Sequence, residues 1–311
     1  MSRREGGFAL VISVWVLVLL SALAMSFSFF TKEEAMGARN FKEETRAYYA
    51  ALAAHEDALK YLSGDKDLFV DFLDEDGNLL TDKERPGISG KKKEGDFEIE
   101  VIISDEESRL NINAITPETF REALEYAEVP EDEINEISDS VLDWKDADDA
   151  HHLSGAETDY YEMLASPYIA KNGPFDSVGE LLLVKGFKKE YLYGTGGESQ
   201  KPLSGLLTVY GEGINVNTAP KAVLEILGVD SPTIDKTIED RKILGGLKMP
   251  PPVFALAGAG LIASKHFRIE VRARPLAGKE KVKITSVAER AENGKRFRII
   301  YWREGIEYGG T

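Results

Sequence analysis

The chain contains no cysteine and only four histidines among its 311 residues. Without cysteine the chain forms no disulfide, so a metal ion is the remaining way to cross-link long loops. The abundance of acidic residues in the chain favours calcium as that ion. Basic residues are also few, because 38 lysines and arginines stand against 54 aspartates and glutamates, a formal charge of −16. Nucleic-acid binding normally depends on a basic patch, and the clusters Lys91–Lys93 and Lys279–Lys283 are short and interleaved with acids. We therefore expect no nucleic-acid partner.

Charged residues are absent from the 23 positions between Phe8 and Phe30. At about 1.5 Å rise per residue, a helix of this length spans roughly 35 Å and can cross a membrane. Gly6 and Gly7 precede the apolar run, whereas a secretory signal peptide has its small-residue cleavage site after the apolar core. Arg3 and Arg4 favour a cytoplasmic N-terminus. The pattern predicts one membrane-spanning helix that is retained in the protein.

The stretch from Arg3 to Ile12, RREGGFALVI, resembles a type IV pilin-like leader. The resemblance implies that residues 1–7 are a prepilin leader, that a dedicated peptidase cuts after Gly7, and that Phe8 becomes a methylated N-terminus. Most pilin-like proteins have glutamate at the fifth mature position, which pairs with the terminal ammonium of the subunit ahead. Here that position is Ile12, which implies the first subunit of a fibre, because an unpaired charge among apolar helices is costly. An uncleaved membrane anchor is the alternative.

Apolar residues continue at helical spacing beyond the membrane segment, until Ser63-Gly64-Asp65 provides a stop signal. We predict one spine helix over residues 8–62, of which residues 8–30 cross the membrane. A helix of this length, half apolar and half amphipathic, needs a sheet against which its outer half can pack. Asp74-Glu-Asp-Gly-Asn78 resembles the start of an EF-hand, but its glycine falls at the fourth position rather than the sixth. We interpret it as a turn.

Alternating apolar residues predict one strand at 97–103 and a three-stranded meander over 267–274, 281–289 and 296–303. About 160 residues separate the first strand from the meander. This spacing predicts an α+β fold in which a helical domain is inserted into a small antiparallel sheet unit. The predicted domains are the α/β unit, formed by 63–104 and 265–311, and the inserted domain, 105–264.

The insertion contains two similar stretches, Leu110-Asn-Ile-Asn-Ala-Ile-Thr-Pro117 and Ile214-Asn-Val-Asn-Thr-Ala-Pro220, which predict an internal repeat. A capping box, Ser177-Val-Gly-Glu180, predicts a helix that ends at Gly186, and the apolar run 253–263 predicts a buried helix. Such short helices are typical of SAM-like or helix-hairpin-helix modules, the latter of which bind DNA backbones. Lys185-Gly-Phe187 and Leu227-Gly-Val229 fit the hairpin only in part, since each lacks the second glycine.

Between Glu131 and Glu162 there are twelve carboxylates and one basic side chain, Lys145. Several of the acids lie in loop-like sequence beside aromatic residues, where hard oxygen ligands favour Ca²⁺. Salt bridges and helix caps are the alternative explanation. His151-His152 adjoins these acids, but a structural zinc site normally needs four nitrogen or sulfur ligands.

The run from Asp143 to Gly186, DWKDADD…GAETDYY…PY…NGPFDSVGELLLVKG, resembles the inserted domain of the type II secretion minor pseudopilin K family. Two flanking stretches share the resemblance, DEESRLNIN at 105–113 and INVNTA at 214–219, whereas 64–95 and 245–264 match no motif. It implies a pilin-like fold interrupted by a large SAM-like helical domain. It also implies bound Ca²⁺, with the ligands expected among the following acids: Asp143, Asp146, Asp148, Glu157 and Asp159.

The same resemblance implies a non-enzymatic subunit that caps the tip of the pseudopilus and nucleates its assembly for protein export. The implied partners are minor pseudopilins I and J, the major pseudopilin and the prepilin peptidase. The implied location is the bacterial inner membrane, crossed once, with the large domain in the periplasm. Three alternatives remain: a minor pilin of a type IV pilus, a DNA-uptake protein, and a membrane-anchored periplasmic hydrolase. No catalytic constellation stands out from the background of 54 acids.

Overall fold

The computed structural model describes residues 5–65, 67–80, 87–196, 201–276, 280–291 and 294–308. Arg3 and Arg4 of the predicted leader lie outside the described residues, as do 277–278 and 292–293 of the predicted turns. The α-helices are α1 Glu5–Ser63, α2 Pro117–Tyr126, α3 Glu131–Lys145, α4 Thr158–Glu162, α5 Lys189–Tyr193, α6 Lys221–Ile226, α7 Ser231–Leu244 and α8 Pro252–Leu256. The strands are β1 Phe72–Leu73, β2 Leu79–Leu80, β3 Gly90–Glu94, β4 Phe97–Asp105, β5 Leu110–Asn111, β6 Leu207–Thr208, β7 His266–Pro275, β8 Glu280–Arg290 and β9 Phe297–Tyr308.

Helix α1 has 59 residues and continues without a break from the apolar stretch into the α/β unit. At about 1.5 Å per residue it is roughly 90 Å long. Its apolar side chains before Phe30 are exposed, including Trp15 at 69%. Among the described residues this is the one helix whose length and composition suit a membrane crossing.

The outer part of α1 packs on a five-stranded antiparallel sheet with strand order β3-β4-β7-β8-β9. Small residues at helical spacing, Ala47, Ala51, Ala54 and Ala58, are fully buried there and allow the helix to lie close to the strands. The sheet presents alternate apolar side chains to the helix because successive residues of a strand point to opposite faces. The strand β3 was not predicted, and its lysines are exposed at the edge of the sheet.

The chain leaves the sheet to form the inserted domain and returns to the sheet at the same end. Asp105 at the end of β4 pairs with Phe267 at the start of β7. The helix fixes which end this is: Arg46 contacts Asp96, just before β4, at 3.1 Å, whereas Asp65, just after α1, contacts Arg290 at 2.9 Å. Because Arg290 is the last residue of β8, the insertion emerges at the end of the sheet farthest from the apolar segment of α1.

The inserted domain has a hydrophobic core of its own, separate from the core between α1 and the sheet. Trp144, Tyr161 and Tyr168 pack ring against ring at its centre. With a core of this size, the insertion is a second folding unit rather than an extended loop.

The predicted internal repeat is confirmed by its hydrogen bonds. In each copy the first asparagine accepts from the backbone N–H of the second at 2.9 Å: Asn111 from Asn113, and Asn215 from Asn217. The second asparagine of each copy then bonds both the N–H and the C=O of one distant residue. Each copy continues into two helices joined by a left-handed residue, which is Glu128 in the first copy and Gly228 in the second.

Two predicted helices form only in part. The run 253–263 forms only α8, because proline precedes that helix and Gly258 follows it with φ of +95°; Leu256 is 90% exposed. The capping box at Ser177 is present, but it begins a 3₁₀ helix, Val178–Leu183, rather than an α-helix. The turn at Asp74 is confirmed, since its carboxylate accepts from the N–H of Asn78 at 2.7 Å between β1 and β2.

Polar side chains join the two folding units. The buried carboxylate of Asp105 accepts hydrogen bonds from three residues of the insertion: Asn215, Thr218 and Ser264. Asp71 accepts from the backbone N–H of Ser264 at 2.6 Å and lies 3.4 Å from Arg290. The insertion is therefore attached by hydrogen bonds as well as by the chain.

Candidate metal centre

The predicted acids surround the end of α3 and the loop that follows it. Asp143 lies in the last turn of α3 and is fully buried, and Asp146 is the residue at which the helix ends. Glu157 precedes α4 and is 2% exposed. The chain turns back between these helices, so residues from two helix termini face one another.

Four of the five predicted ligands come together. Carboxylate oxygens of Asp146, Asp148 and Glu157 lie within 4.8 Å of one another, and atoms of Asp143, Asp146 and His152 form a second such group. Asp159 belongs to neither group, and its Oδ1 lies 3.1 Å from His151 Nε2.

Several buried oxygens in this centre have no hydrogen-bond donor. In the part of the chain that the structure describes they are Asp143 Oδ2, Asp146 Oδ1, both carboxylate oxygens of Glu157, and Asn172 Oδ1. A buried acceptor without a donor costs roughly 1–3 kcal/mol, so a group of five requires an explanation. Ca²⁺ takes six to eight oxygen ligands, and these five atoms are of the type it prefers. The donor set therefore fits calcium.

The electrostatics also favour a bound cation. Burial, together with the nearby charges of Asp143 and Asp146, raises the pKa of Glu157 to about 7. Burial and the charge of Asp148 raise the pKa of Asp146. Lys145 lies in the same segment but donates to the carbonyl oxygen of Ile112 at 3.3 Å. Lys145 is therefore not paired with these carboxylates, and a divalent cation would balance their negative charge.

Gly155 allows the loop to lie directly over Asp143. A Cβ at this position would be 1.9 Å from Asp143 Oδ2, so a side chain would displace the carboxylate. Lys185 Nζ holds the same loop by donating to the carbonyl oxygens of Ser154 and Gly155, each at 3.3 Å. Glycine is thus required here for close approach.

Two residues of the centre were not among the predicted ligands. His152 hydrogen-bonds Asp143 Oδ1 through Nδ1 and its backbone N–H, so it orients that carboxylate. Asn172 Nδ2 donates to Asp149 Oδ1 at 3.1 Å, which brings its free Oδ1 beside the acidic loop. The Asn-Gly-Pro sequence that begins at Asn172 was the available signal, since asparagine tolerates the left-handed φ of 47° found there.

The helix-hairpin-helix-like sequence at Leu227–Val229 does not present a free helix N-terminus to an anion. The hairpin at Leu227–Val229 does join α6 to α7, but Asp230 caps α7 by accepting from the N–H of Thr233 at 3.0 Å. A carboxylate therefore occupies the place where a phosphate would bind a helix N-terminus.

A long N-terminal helix packed on a small antiparallel sheet defines a pilin-like protein, and a solved structure supports that class. A chain of the GspK-GspI-GspJ complex from the enterotoxigenic Escherichia coli Type 2 Secretion System matches with a TM-score of 0.61 and 16% identity. The match covers 86% of this chain and 99% of that chain.

Sequence comparison names the family. The model for Type II secretion system (T2SS), protein K, matches residues 97–193. Two relatives named Type II secretion system protein K are 26% identical over 208 residues (Aeromonas hydrophila) and 28% identical over 235 residues (Pectobacterium carotovorum subsp. carotovorum). Those matches cover 59% and 70% of this chain, and 60% and 68% of the relatives. The chain is thus similar to members of the type II secretion system protein K family, and residues 97–193 match the family model.

Proposed function

We propose that this chain is a minor pseudopilin that caps the tip of the type II secretion pseudopilus. The single observation that carries the proposal is the position of the inserted domain. It emerges at Asp105 and His266, at the end of the sheet remote from the apolar half of α1. In a fibre built from parallel spine helices this end points away from the membrane, so the insertion can cover the end of a fibre.

The size of the insertion supports a terminal position. About 160 residues protrude beyond the small sheet, and one such domain on each subunit would collide with the subunit stacked above. A single copy at the end avoids that collision. A helical filament built from heterologous contacts ends only at a subunit whose upper surface accepts no further copy.

Position 12 supports the same arrangement. Ile12 is exposed on α1, within a segment that holds no charge from Phe8 to Phe30. A subunit that leads the fibre has no terminal ammonium ahead of it, so a carboxylate at this position would have no partner in the membrane.

We propose minor pseudopilins I and J as direct partners and the single helix as an inner-membrane anchor. Support comes from the solved complex that this fold resembles, which contains GspI and GspJ beside GspK. Growth from this tip complex, by addition of the major pseudopilin, would push folded cargo outward. The prepilin peptidase would act first, between Gly7 and Phe8.

We further propose that Ca²⁺ is the structural ion of the candidate metal centre. Asp143, Asp146, Asp148 and Glu157 would hold it, with Asn172 as an added oxygen ligand. The support is the set of buried oxygens without hydrogen-bond donors. Asp159 is not included, because it pairs with His151. The ion would tie α3 to α4 and thereby fix the loop between them.

The tip proposal is tested in secreting cells with the variant Ile12→Glu and the control Ile12→Leu. We expect Ile12→Glu to lower secretion several-fold, since a charge in the membrane costs about 2–3 kcal/mol, and Ile12→Leu to secrete normally. Mass spectrometry of the recovered protein should show Phe8 as a methylated N-terminus. Immunogold labelling along the shaft, or equal secretion by both variants, would contradict a tip position.

One alternative is a minor pilin of a type IV pilus. Co-purification of the full chain with pseudopilins I and J separates this alternative from the proposed role, because a type IV pilus would supply different neighbours.

A second alternative, a DNA-uptake role, predicts retention on DNA at low salt, which the acidic cap of α7 opposes.

A further inference from the structure

A cleft of about 320 Å³ lies between the inserted domain and the face of the sheet that α1 leaves uncovered. Arg268, Tyr301 and Arg303 line it from the sheet, and Arg109, Tyr193 and Tyr210 line it from the insertion. Three arginines and three tyrosines in one cleft are unusual for a chain with a formal charge of −16. The cleft is separate from the acidic centre, none of whose proposed ligands lines it.

Most charges around the cleft are paired, including Asp176, which also lines it and lies 2.7 Å from Lys171 Nζ. Arg109 and Arg268 both donate to the buried carboxylate of Glu106, at 3.1 and 2.5 Å. Glu270 is paired with Arg272 and Lys283, each at 3.2 Å.

Arg303 differs from these groups. Among the residues that the structure describes it has no acidic partner within 4.0 Å, although it lies on β9 at the wall of the cleft. Glu106 and its two arginines together leave a further positive charge at the base of the cleft. The cleft therefore offers a fixed guanidinium at its base and a free one at its edge.

Aromatic side chains define the rest of the chemistry. Tyr210 stacks on His266 with ring centroids 6.1 Å apart, and burial raises the pKa of Tyr210, so its hydroxyl stays protonated. Tyr193 is 51% exposed at the opening of the cleft. Tyrosine offers both an apolar face and a hydroxyl, a combination common where proteins bind peptides.

We propose that this cleft binds a carboxylate-bearing peptide segment, with Arg303 and the Arg109–Arg268 pair contacting the carboxylate and the tyrosines contacting the adjoining side chain. Guanidinium groups bind carboxylates through two parallel hydrogen bonds, which gives the contact its direction. A segment that lies here would touch both folding units, so it would also fix their relative position. This binding site goes beyond the tip role and does not depend on it.

The test uses the full chain in detergent and two probes, acetyl-Gly-Tyr with a free carboxylate and the same dipeptide as its amide, in isothermal titration. We expect the acid to bind at least tenfold more tightly than the amide, and Arg303→Gln to remove that advantage. The control is Arg296→Gln, which removes an exposed arginine just before β9 and should leave both affinities unchanged.

Several results would overturn the proposal. They are equal binding of acid and amide, no effect of Arg303→Gln, equal loss in the control variant, and no binding of the acid up to about 10 mM. Tighter binding of inorganic phosphate than of the acid would also overturn it, because it would indicate a general anion site. The tip role would survive each of these results, since secretion by Ile12→Glu tests it separately.

Discussion

Calcium should raise the melting temperature of the full chain if the acidic centre is a metal site. A ligand that binds only the folded state stabilises it by RT ln(1 + [L]/Kd), about 2.7 kcal/mol at a hundredfold excess over Kd. At about 2–4 °C per kcal/mol for a folding unit of this size, the shift is roughly 5–10 °C. The assay is calorimetry in detergent, after chelation and then with added Ca²⁺. Mg²⁺ should give a smaller shift, because it requires a tighter octahedral geometry.

Two neutral substitutions separate the predicted ligands. Glu157→Gln removes a buried carboxylate whose two oxygens lack donors, so the calcium-dependent shift should disappear. The same change removes repulsion from the neighbouring acids, and the chelated variant should therefore melt no lower than the chelated parent. Asp159→Asn is the matched control, since this acid is exposed, contacts His151 and lies outside both oxygen groups.

An unchanged melting temperature of the parent protein in millimolar Ca²⁺ would contradict the proposed metal site. Loss of the shift in Asp159→Asn together with its retention in Glu157→Gln would also contradict it. That second result would mean that the ion lies on the exposed side of α4, away from the oxygens that lack donors.

Three further predictions concern stability. Burial raises the pKa of Asp71 to about 7, so the folded state holds that proton more tightly than the unfolded state does. The free energy of unfolding should therefore fall as the pH rises from about 4 to 7, and Asp71→Asn should flatten this slope in urea titrations. Gly155→Ala should destabilise the protein by about 1–3 kcal/mol and remove the calcium response, while Gly205→Ala, whose Cβ meets no atom within 4 Å, should retain the response in calorimetry. Asp105→Ala removes the buried acceptor that Asn215, Thr218 and Ser264 share and should cost about 3 kcal/mol or more in denaturant. Asp96→Ala, which breaks a surface pair, should cost about 0–1 kcal/mol. Equal losses for Asp105 and Asp96 would contradict the role given to the junction.

Repetitive features were predictable from sequence because each is set by local periodicity. The spine helix runs over Glu5–Ser63, against the predicted 8–62, and β4 and β7 contain the alternating runs that predicted them. The strand β3 could not be predicted, since Gly-Lys-Lys-Lys-Glu has no apolar alternation. It forms because the N–H and C=O groups at the edge of β4 need partners, which is a tertiary cause.

The two helices that form only in part, at 253–263 and after Ser177, have a different explanation. The run 253–263 is apolar, and hydrophobicity suggested burial, but the prolines before it and Gly258 and Gly260 within it prevent a longer helix. At Ser177 the capping box was recognised correctly, yet such a box fixes only the first turn. The geometry of the following turns is not set by a local motif, and here Leu181 in those turns is buried in the core.

In the acidic centre, sequence predicted that acids cluster better than it predicted which acids take part. Twelve acids with one lysine predict a cation site by charge alone, and four of the five named residues do lie together. Asp159 was indistinguishable from Glu157 by spacing, because both flank the start of α4. Their burial separates them: Glu157 faces inward at 2% exposure, while Asp159 reaches His151 at the surface.

The junction between the sheet and the inserted domain is built from neighbouring strands rather than from a linker. The chain enters and leaves the insertion by β4 and β7, neighbouring strands that are paired along nine positions. A force along the spine therefore passes through the ladder rather than through a flexible linker. Asp105, at the end of β4, adds a second attachment, because its buried carboxylate accepts from Asn215, Thr218 and Ser264. Since breaking any one of these bonds leaves a buried polar group poorly satisfied, they hold the inserted domain against the sheet.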